Sequence, residues 1–352
     1  MDQQYQIGDY EETYRTFHLE VPERFNWAYE VFDQWACDPE KVAMFWVGLD
    51  GTERQVTFAD MRDRSRQLAN ALSNLGACSG DRVFIMLPSL VEWWETMLAC
   101  IRGCLVSVPA TTLLTTKDLS YRLNAAGVRF VITDSENVGK VESVMDHCPT
   151  LEHLIVVGEN DAHNNYEDIV RSESPDLSNP QNLSSDPLVI YFTSGTTGNP
   201  KMVLNTHSTY PIGHITTGKF WLDHRPSDLH WTISDTGWAQ AAWSYFFGPW
   251  NMGTALFVLD QRGKYDPKKT LRVLEKYPIT TFFAPPTVFR LLVLEDLDKF
   301  HPRVLRYCTA AGEPVNPEVI DTWRERTGYH IWEAYGQTET TLCVASFPGM
   351  PY

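Results

Sequence analysis

A short segment in the middle of this chain joins an apolar run to a row of small polar residues that ends in a lysine. The apolar run, residues 187–192, predicts a buried strand. The row that follows consists of Thr193, Ser194, Gly195, Thr196, Thr197, Gly198, Asn199, Pro200 and Lys201. The two glycines let the backbone approach an anion, the hydroxyl groups offer donors, and the lysine adds a compact positive charge. We therefore predict a phosphate-holding loop at the end of a strand.

The spacing of this loop excludes two common nucleotide-binding patterns. No Gly-Lys-Ser/Thr follows the second glycine as in a Walker A loop, and no Gly-x-Gly-x-x-Gly is present. The alternative is a flexible surface loop that is merely rich in Gly, Ser and Thr. The preceding strand and the Pro-Lys ending favour phosphate binding.

A second segment fits the same kind of ligand, and it consists of Glu333, Ala334, Tyr335, Gly336, Gln337, Thr338 and Glu339. The Tyr335 ring is suited to stack on a base, and the Thr338 hydroxyl is suited to bind phosphate. Glu339 is suited to hold Mg2+, which takes hard oxygen ligands and usually only one or two carboxylates besides substrate phosphates. For Glu339 alone, the alternative is a carboxylate that stabilises a helix N-terminus.

A third segment, made of Gly312, Glu313 and Pro314, is a glycine turn that lets the backbone lie close to a planar ligand. All three segments follow predicted strands. Strands and helices alternate along most of the chain, which predicts parallel sheets with helices on both faces. Ligands of such sheets bind beyond the carboxyl ends of the strands, so we expect the three segments to converge on one crevice.

Together the three segments resemble the adenylate-forming (AMP-binding) superfamily of acyl-CoA synthetases, luciferases and peptide-synthetase adenylation domains. Residues 193–201 match its phosphate loop, residues 312–314 its adenine-side turn, and residues 335–339 its signature for adenine, phosphate and metal. Residues 234–238, Ser-Asp-Thr-Gly-Trp, and the aromatic stretch up to Trp250 are similar to the medium-chain and short-chain acyl-CoA synthetases. They disfavour aryl-CoA ligases and peptide-synthetase domains. The resemblance covers residues 14–339.

The resemblance implies an α/β fold of two similar subdomains with mainly parallel sheets flanked by helices, as in the large N-terminal domain of adenylate-forming enzymes. We expect residues 1–352 to belong to this domain. The subdomains are predicted at about residues 40–160 and 186–345. The polar stretch at about residues 159–186 is predicted to be a surface linker between them.

The resemblance also implies a ligase reaction with ATP, Mg2+ and CoA. A carboxylic acid, expected to be a medium-chain fatty acid, attacks the α-phosphorus of ATP, and the acyl-adenylate is captured by the CoA thiol. Lys201, Thr338 and Glu339 are the implied catalytic residues, and Glu339 is the implied metal ligand. The barrier to bringing two anions together is mainly electrostatic, which fits a site without a nucleophile–base arrangement.

Trp238 and Gly336 are the residues implied to shape the acyl pocket. Acetate-specific relatives have a tryptophan at the position of Gly336, so a glycine here is expected to leave room for a longer chain. For Trp238 the alternative is a core tryptophan, because three further tryptophans lie nearby, namely Trp231, Trp243 and Trp250. His207 matches a histidine common in the family, and its alternative is a hydrogen-bonded structural residue.

Composition limits the remaining classes. The formal net charge of −16 argues against a nucleic-acid surface and against binding to anionic lipid. No run approaches the roughly 20 apolar residues of a membrane span. The seven cysteines include no Cys-x-x-Cys pair, so mostly buried, reduced thiols are expected. The N-terminus has neither a signal core nor an Arg-rich transit pattern, which favours the cytoplasm, with the mitochondrial matrix as the alternative in a eukaryote.

Members of the family continue beyond the signature through a ribose-binding aspartate, a hinge and a small domain with a catalytic lysine. None of these elements can be assigned to a residue before Tyr352. We therefore expect at most residual adenylation from this stretch alone. The alternative is a noncatalytic nucleotide-binding or interaction protein that keeps the crevice without its lid.

Overall fold

Two mainly parallel β-sheets, each flanked by helices, form the protein in a computed structural model that describes residues 5–194 and 198–349. The predicted α/β class is confirmed. The strands are β1 Val42–Val47, β2 Glu53–Thr57, β3 Arg82–Met86, β4 Val106–Pro109, β5 Phe130–Asp134, β6 His153–Val157, β7 Asn164–Asn165, β8 Pro187–Thr193, β9 Lys201–Thr206, β10 Leu229–Thr232, β11 Ala255–Leu259, β12 Thr281–Phe283, β13 Tyr307–Ala311, β14 Ile331–Gly336 and β15 Leu342–Ala345.

The seven-stranded sheet has the order β7-β6-β5-β3-β4-β8-β9, and the eight-stranded sheet has the order β15-β14-β13-β12-β10-β11-β1-β2. Most neighbours are parallel. The antiparallel pairs lie at sheet edges, namely β8 with β9, β1 with β2, and β14 with β15. The carboxyl ends of the central strands therefore share one edge in each sheet, where ligands bind in folds of this kind.

The strands of each sheet do not come from one consecutive stretch of the chain. The hairpin β1–β2 was predicted within the first unit, but β1 pairs in parallel with β11 of the eight-stranded sheet. The strand β8 was predicted to open the second unit, but it pairs with β4 of the seven-stranded sheet. The sequence reading assumed that neighbouring elements pair with each other, whereas these pairings join distant parts of the chain.

The α-helices are α1 Tyr10–Thr16, α2 Asp33–Trp35, α3 Phe58–Asn74, α4 Val91–Arg102, α5 Thr116–Ala126, α6 Val138–Glu142, α7 Tyr166–Arg171, α8 His214–Thr216, α9 Ala239–Ala242, α10 Gly248–Asn251, α11 Pro267–Lys276, α12 Pro286–Leu292 and α13 Pro317–Thr327. Three single π-helical turns span Ala28–Phe32, Thr217–Trp221 and Trp243–Phe247. Short 3₁₀ turns span Met145–His147 and Leu297–Lys299. Within the described residues, no helix is both long and apolar enough to cross a bilayer.

Local sequence explains where the long helices begin and end. Thr57 starts α3 with a capping box, because its hydroxyl accepts from the Asp60 N–H while the Asp60 carboxylate accepts from the Thr57 N–H. The Thr115 hydroxyl caps α5 by accepting from the Asp118 N–H, and Gly127 ends the helix with a φ of 57°, a left-handed conformation that suits glycine. These local contacts fix the limits of both helices.

The helix α4 packs against β3 and β4 of the seven-stranded sheet and contacts the π-helical turn Trp243–Phe247, which follows β10 of the eight-stranded sheet. Eleven of its twelve residues are buried. Its Trp94 indole donates to the Tyr245 carbonyl at 2.7 Å, and the Trp93 ring packs edge-on against Phe246. The aromatic residues after β10 therefore serve to join the sheets, which accounts for much of the aromatic stretch seen in the sequence.

The stretch predicted as a surface linker is partly ordered into the body. It contains β7 and α7, whose Tyr166 and Val170 are buried. The Tyr166 hydroxyl donates to the buried Glu95 carboxylate at 2.8 Å. Polar composition hid this helix from the sequence reading, because only two of its side chains enter the core.

Candidate active site

The predicted phosphate loop connects β8 and β9 as an antiparallel hairpin. Thr193 and Lys201 are cross-strand partners, and they form the last pair of this ladder before the loop. Gly195, Thr196 and Thr197 lie outside the described residues. The remaining loop residues, Ser194, Gly198 and Asn199, are exposed, and so is Lys201. The backbone after the loop is fixed by the Tyr121 hydroxyl, which donates to the Pro200 carbonyl at 3.1 Å.

The second and third segments lie side by side at the carboxyl ends of adjacent parallel strands. Ala311 of β13 pairs with Ala334 of β14, so the residues that follow them, Gly312 and Tyr335, are neighbours. Gly312 has a φ of 103°, which favours glycine. The Tyr335 side chain is 58% exposed. The structure thus brings a sharp glycine turn beside an accessible aromatic ring, as a planar ligand would need.

The carboxylates of Glu313 and Glu333 hold the turn itself. Glu313 forms an ion pair with Arg290 at 3.0 Å and accepts the Thr287 N–H at 3.2 Å. Glu333 accepts the Val315 N–H at 2.9 Å. Both residues were predicted to bind cofactor, and the contacts described here give them a second task of fixing the backbone around residues 312–315. Pro314 between them is exposed.

The signature residues Thr338 and Glu339 lie in the turn between β14 and β15. The turn is closed by the Gln337 N–H, which donates to the Thr340 hydroxyl, and by the Thr340 N–H, which donates to the Gln337 carbonyl, both at 3.0 Å. Because this is a hairpin turn, the alternative of Glu339 at a helix N-terminus does not occur. The Glu339 side chain is exposed and forms no hydrogen bond or ion pair with other described residues.

The carbonyl of Thr338 accepts two hydrogen bonds from residues outside the signature. The Asn205 side-chain amide donates at 3.1 Å, and the Tyr210 hydroxyl donates at 2.9 Å. Asn205 belongs to β9, the strand that begins with Lys201. The phosphate hairpin of one sheet is therefore in direct contact with the signature turn of the other.

The surroundings of Gly336 differ from the expectation of open space. A Cβ atom at this position would overlap the Trp243 ring and lie 2.5 Å from the Thr341 carbonyl oxygen. The glycine is thus needed for close packing, and the Trp243 indole occupies the volume that its missing side chain leaves. A long acyl chain in this region would have to pass beside Trp243 or displace it.

Trp238 differs from the other tryptophans of its segment. Its side chain is 59% exposed, whereas Trp231, Trp243 and Trp250 are buried. The alternative of a core tryptophan therefore does not apply to Trp238. An exposed ring at the start of α9 does not line an enclosed pocket.

The turn before Trp238 is fastened to the other sheet. The Thr111 hydroxyl donates to Asp235 at 2.6 Å, and the Thr236 hydroxyl donates to the Leu87 carbonyl at 2.6 Å. At Gly237 an added Cβ would lie 2.7 Å from the Thr111 Cα and still closer to other backbone atoms of residues 110–111. The two sheets therefore touch backbone to backbone at this glycine, which we term the Gly237 joint.

His207 is fully buried beyond the end of β9. Neither of its ring nitrogens has a hydrogen-bond partner among the described residues, so the expected hydrogen-bonded structural role is not observed there. Burial lowers its pKa to about 4, with Asp186 acting weakly in the opposite direction. The ring is therefore neutral at physiological pH.

The described residues contain no group of three or more His, Cys, Asp or Glu side chains suited to a metal ion. A magnesium site of the implied kind needs only one carboxylate, because substrate phosphates and water supply the other oxygens. The unengaged carboxylate of Glu339, next to the Thr338 hydroxyl, fits that requirement. Glu313 and Glu333 fit it less well, because both already accept hydrogen bonds from the protein.

Sequence reasoning missed several residues that build this site. They are Asn205, Tyr210, Gln240, Trp243 and Arg290. The Gln240 amide donates to the Ala311 carbonyl at 2.8 Å and lies against Gly312. Each of these contacts joins residues far apart in sequence, so no local pattern announces them. The available signal was closeness in sequence to the predicted segments. Asn205 and Tyr210 follow the phosphate loop, and Gln240 and Trp243 follow Trp238.

Known proteins are similar to this chain over most of its length. A family model described as AMP-binding enzyme matches residues 31–352. The chain is 40% identical over 356 residues to acyl-coenzyme A synthetase ACSM3, mitochondrial, of Homo sapiens, covering 98% of this chain and 60% of that protein. It is 39% identical over 341 residues to acyl-coenzyme A synthetase ACSM5, mitochondrial, of Homo sapiens, covering 94% and 58%. The chain thus spans about 60% of the length of these curated relatives.

Two solved structures have the same fold. An acyl-CoA synthetase of Brucella canis superposes with a TM-score of 0.86 at 25% identity, over 98% of this chain and 63% of that one. The anthranilate CoA ligase AuaEII, in complex with anthranoyl-AMP, superposes with a TM-score of 0.86 at 24% identity, over 94% and 64%. The predicted resemblance to the adenylate-forming fold is confirmed.

Proposed function

Because the chain belongs to the AMP-binding enzyme family, we propose that it is the ATP- and acid-binding part of an acyl-CoA synthetase. The proposed reaction joins a carboxylic acid to AMP and then to CoA. The observation that carries this proposal is the contact between the phosphate hairpin and the signature turn through the Thr338 carbonyl. It supports the proposal because the strand that begins with Lys201 and the segment after it contact the signature turn.

In the first step, a carboxylate oxygen attacks the α-phosphorus of ATP, the bond to the bridging oxygen breaks, and pyrophosphate leaves. The exposed Lys201 ammonium is proposed to offset phosphate charge, and the Thr338 hydroxyl to donate to a phosphate oxygen. Tyr335 and the Gly312 turn are proposed to hold the adenine between an aromatic face and backbone. Mg2+, held by Glu339 together with substrate phosphates, would add positive charge where negative charge develops.

In the second step, the sulfur of the CoA thiolate attacks the acyl carbon and AMP leaves. The relatives are named acyl-coenzyme A synthetases, which supports CoA as the acceptor for this chain. Their names also include the word mitochondrial, which favours the mitochondrial alternative over the cytoplasmic one. We propose a medium-chain fatty acid as the acyl substrate.

The length of the acid is proposed to depend on Trp243 together with Gly336. The Trp243 ring fills the position of a Gly336 side chain and would limit an acyl pocket there. Each buried methylene contributes about 0.8 kcal/mol, so a pocket that admits more carbons favours longer acids by several-fold per carbon. Replacing Trp243 with a smaller residue should therefore shift the preference toward longer acids.

The test is carboxylate-dependent exchange of labelled pyrophosphate into ATP, using the 352-residue chain with Mg2+ and acids of two to twelve carbons. Exchange that peaks at intermediate length would support the proposal. Lys201→Ala and Glu339→Gln should each lower the exchange rate about 10²- to 10³-fold, as expected for losing one preorganised charge or metal contact. Lys299→Ala is the matched control, because among the described residues that exposed lysine forms an ion pair only with Asp296, near α13.

ATP binding without exchange for any acid would contradict the enzymatic proposal and favour the noncatalytic nucleotide-binding alternative. A chain that binds no ATP would contradict both. The two functions are thus separated by one titration and one exchange assay on the same sample.

A further inference from the structure

The Thr338 carbonyl is held at both sides by groups that none of the three sequence segments contains. Asn205 donates through its amide at 3.1 Å and Tyr210 through its hydroxyl at 2.9 Å. A carbonyl oxygen has two lone pairs, and here both are used. The backbone at the centre of the proposed metal and phosphate turn is therefore fixed by these two side chains.

Both donors are themselves held in one orientation. The Asn205 side chain is buried, and its amide oxygen accepts from the Thr209 hydroxyl at 3.4 Å. The Tyr210 ring is fully buried, packed edge-on against His214 and Phe247, and its hydroxyl accepts from the Trp243 indole N–H at 3.4 Å. Burial raises the pKa of Tyr210, so the hydroxyl stays protonated and remains a donor.

The strand β9 connects these anchors to the proposed phosphate lysine. Lys201 begins the strand and Asn205 lies four residues later, on the same face because side chains alternate. A strand advances by about 3.3 Å per residue, so the two Cα atoms are separated by roughly 13 Å of stiff, paired backbone. The distance between Lys201 and the signature turn is thus set by one strand.

We propose that Asn205 and Tyr210 are positioning residues that set Thr338 and Glu339 at a fixed distance from Lys201. They touch neither phosphate nor metal, and they act through the Thr338 carbonyl. This inference rests on the proposed function, since the fixed distance matters only if Lys201 and Glu339 bind the same Mg-nucleotide. Its specific consequence is that losing either donor harms the metal-dependent part of ATP binding and spares the metal-independent part.

The test compares the dissociation constants of ATP with Mg2+ and of ATP with EDTA, by titration calorimetry of the 352-residue chain. The variants are Tyr210→Phe, which removes one hydroxyl, and Asn205→Asp, which replaces the donor with a carboxylate of the same shape. Each should weaken binding of ATP with Mg2+ about five- to tenfold and change binding with EDTA less than twofold. Asn205→Asp leaves the hydrogen bond between Trp243 and Tyr210 in place, so it separates the anchor from an effect through Trp243.

Tyr191→Phe is the matched control. Its ring is buried beside Tyr210, and its hydroxyl has no hydrogen-bond partner among the described residues. Losing that hydroxyl changes the same aromatic cluster without touching Thr338. We expect both dissociation constants to stay within twofold of the unchanged chain.

A second readout does not depend on nucleotide. Amide hydrogen exchange of residues 337–341 should become several-fold faster in Tyr210→Phe and Asn205→Asp and stay unchanged in Tyr191→Phe. Equal weakening with Mg2+ and with EDTA, or an unchanged Mg-dependent constant, would overturn the proposal. If the unchanged chain bound no ATP, the proposed function would fail without affecting the anchor. In that case, unaltered amide hydrogen exchange in both variants would overturn the anchor as well.

Discussion

On the seven-stranded side of the crevice, the residues predicted to bind phosphate lie between the paired ends of two strands, β8 and β9. On the eight-stranded side, side chains tie each turn to its surroundings. Glu333 binds the Val315 N–H, Gln240 binds the Ala311 carbonyl, and Asn205 and Tyr210 bind the Thr338 carbonyl. The seven-stranded side therefore obtains its geometry from backbone pairing between adjacent strands, which a sequence pattern can predict. The eight-stranded side obtains it from polar contacts between residues that are distant in sequence.

Two groups of ionisable side chains respond to pH in opposite directions. On α4, desolvation of the partly buried Glu92, together with the nearby Glu95 carboxylate, raises the pKa of Glu92 to about 7. His224, just before β10, and His230 in β10 are buried with their ring centroids 4.3 Å apart, and burial lowers the pKa of His230 to about 3. Acid therefore opposes folding through His230, while alkali opposes it through Glu92.

The largest effect is expected where the two sides meet. Gly237→Ala would push a methyl group into the backbone of residues 110–111, which cannot yield like a flexible side chain. We expect a loss of unfolding free energy of about 3 kcal/mol or more, measured by urea denaturation.

Gly139→Ala is the control for this substitution, because an added Cβ at Gly139 meets nothing within 4 Å and the residue lies in α6. It should leave stability unchanged or raise it by up to about 1 kcal/mol. A Gly237→Ala variant as stable as the Gly139→Ala variant would show that the Gly237 joint does not hold the sheets together.

A smaller effect, with a pH dependence, is expected at Glu92. Its folded pKa of about 7 lies above the ordinary value of 4.5, so the folded state binds more protons between these values and loses stability as pH rises through this window. Glu92→Gln removes that loss. It should stabilise the protein by about 2 kcal/mol at pH 8 and by little at pH 4, as measured by urea denaturation at both values.

His230 responds in the opposite direction. Its folded pKa of about 3 lies below the ordinary value of 6.5, so the unfolded state binds more protons and stability falls as pH decreases below 6.5. Glu92→Gln should therefore leave the acid side of the stability curve unchanged. A shift of the acid midpoint in this variant would show that the two clusters are coupled.

The smallest effect is expected at the exposed contact between Arg290 and Glu313. Both side chains are about two-fifths exposed, so the pair contributes little to stability. Glu313→Gln should lower the unfolding free energy by less than about 1 kcal/mol. If Glu313 only fixes the adenine-side turn, ATP affinity should fall no more than a few-fold in the same variant. A loss of 100-fold would instead assign Glu313 to direct ligand contact.

Much of the fold could be predicted from the sequence because its elements leave local patterns. Short apolar runs coincide with β3, β5 and β11, and an Asp-Gly pair, here Asp50-Gly51, is typical of a hairpin such as β1–β2. The segment 91–102 is predicted to be a helix, and α4 spans the same residues. The pairing of β1 with β11 left no such pattern, because it depends on which sheet a strand reaches and not on its own residues.

The candidate site was predictable to the same extent. The phosphate loop and the signature are recognisable because small and polar residues crowd into short segments. The anchors Asn205 and Tyr210 are single residues in unremarkable surroundings, and only the folded chain brings them to Thr338. The occupied space beside Gly336 was hidden for the same reason, because Trp243 reaches it from another element.

The spacing along β9 carries a rule for changes in chain length. Inserting one residue between Lys201 and Asn205 would turn the Asn205 side chain to the opposite face of the sheet, where Met202 and Leu204 now point. Inserting two would restore its direction but carry it roughly 6.6 Å too far along the strand. Surface loops of such a domain tolerate insertions, but β9 should not. This holds although β9 is an edge strand whose first two residues are exposed.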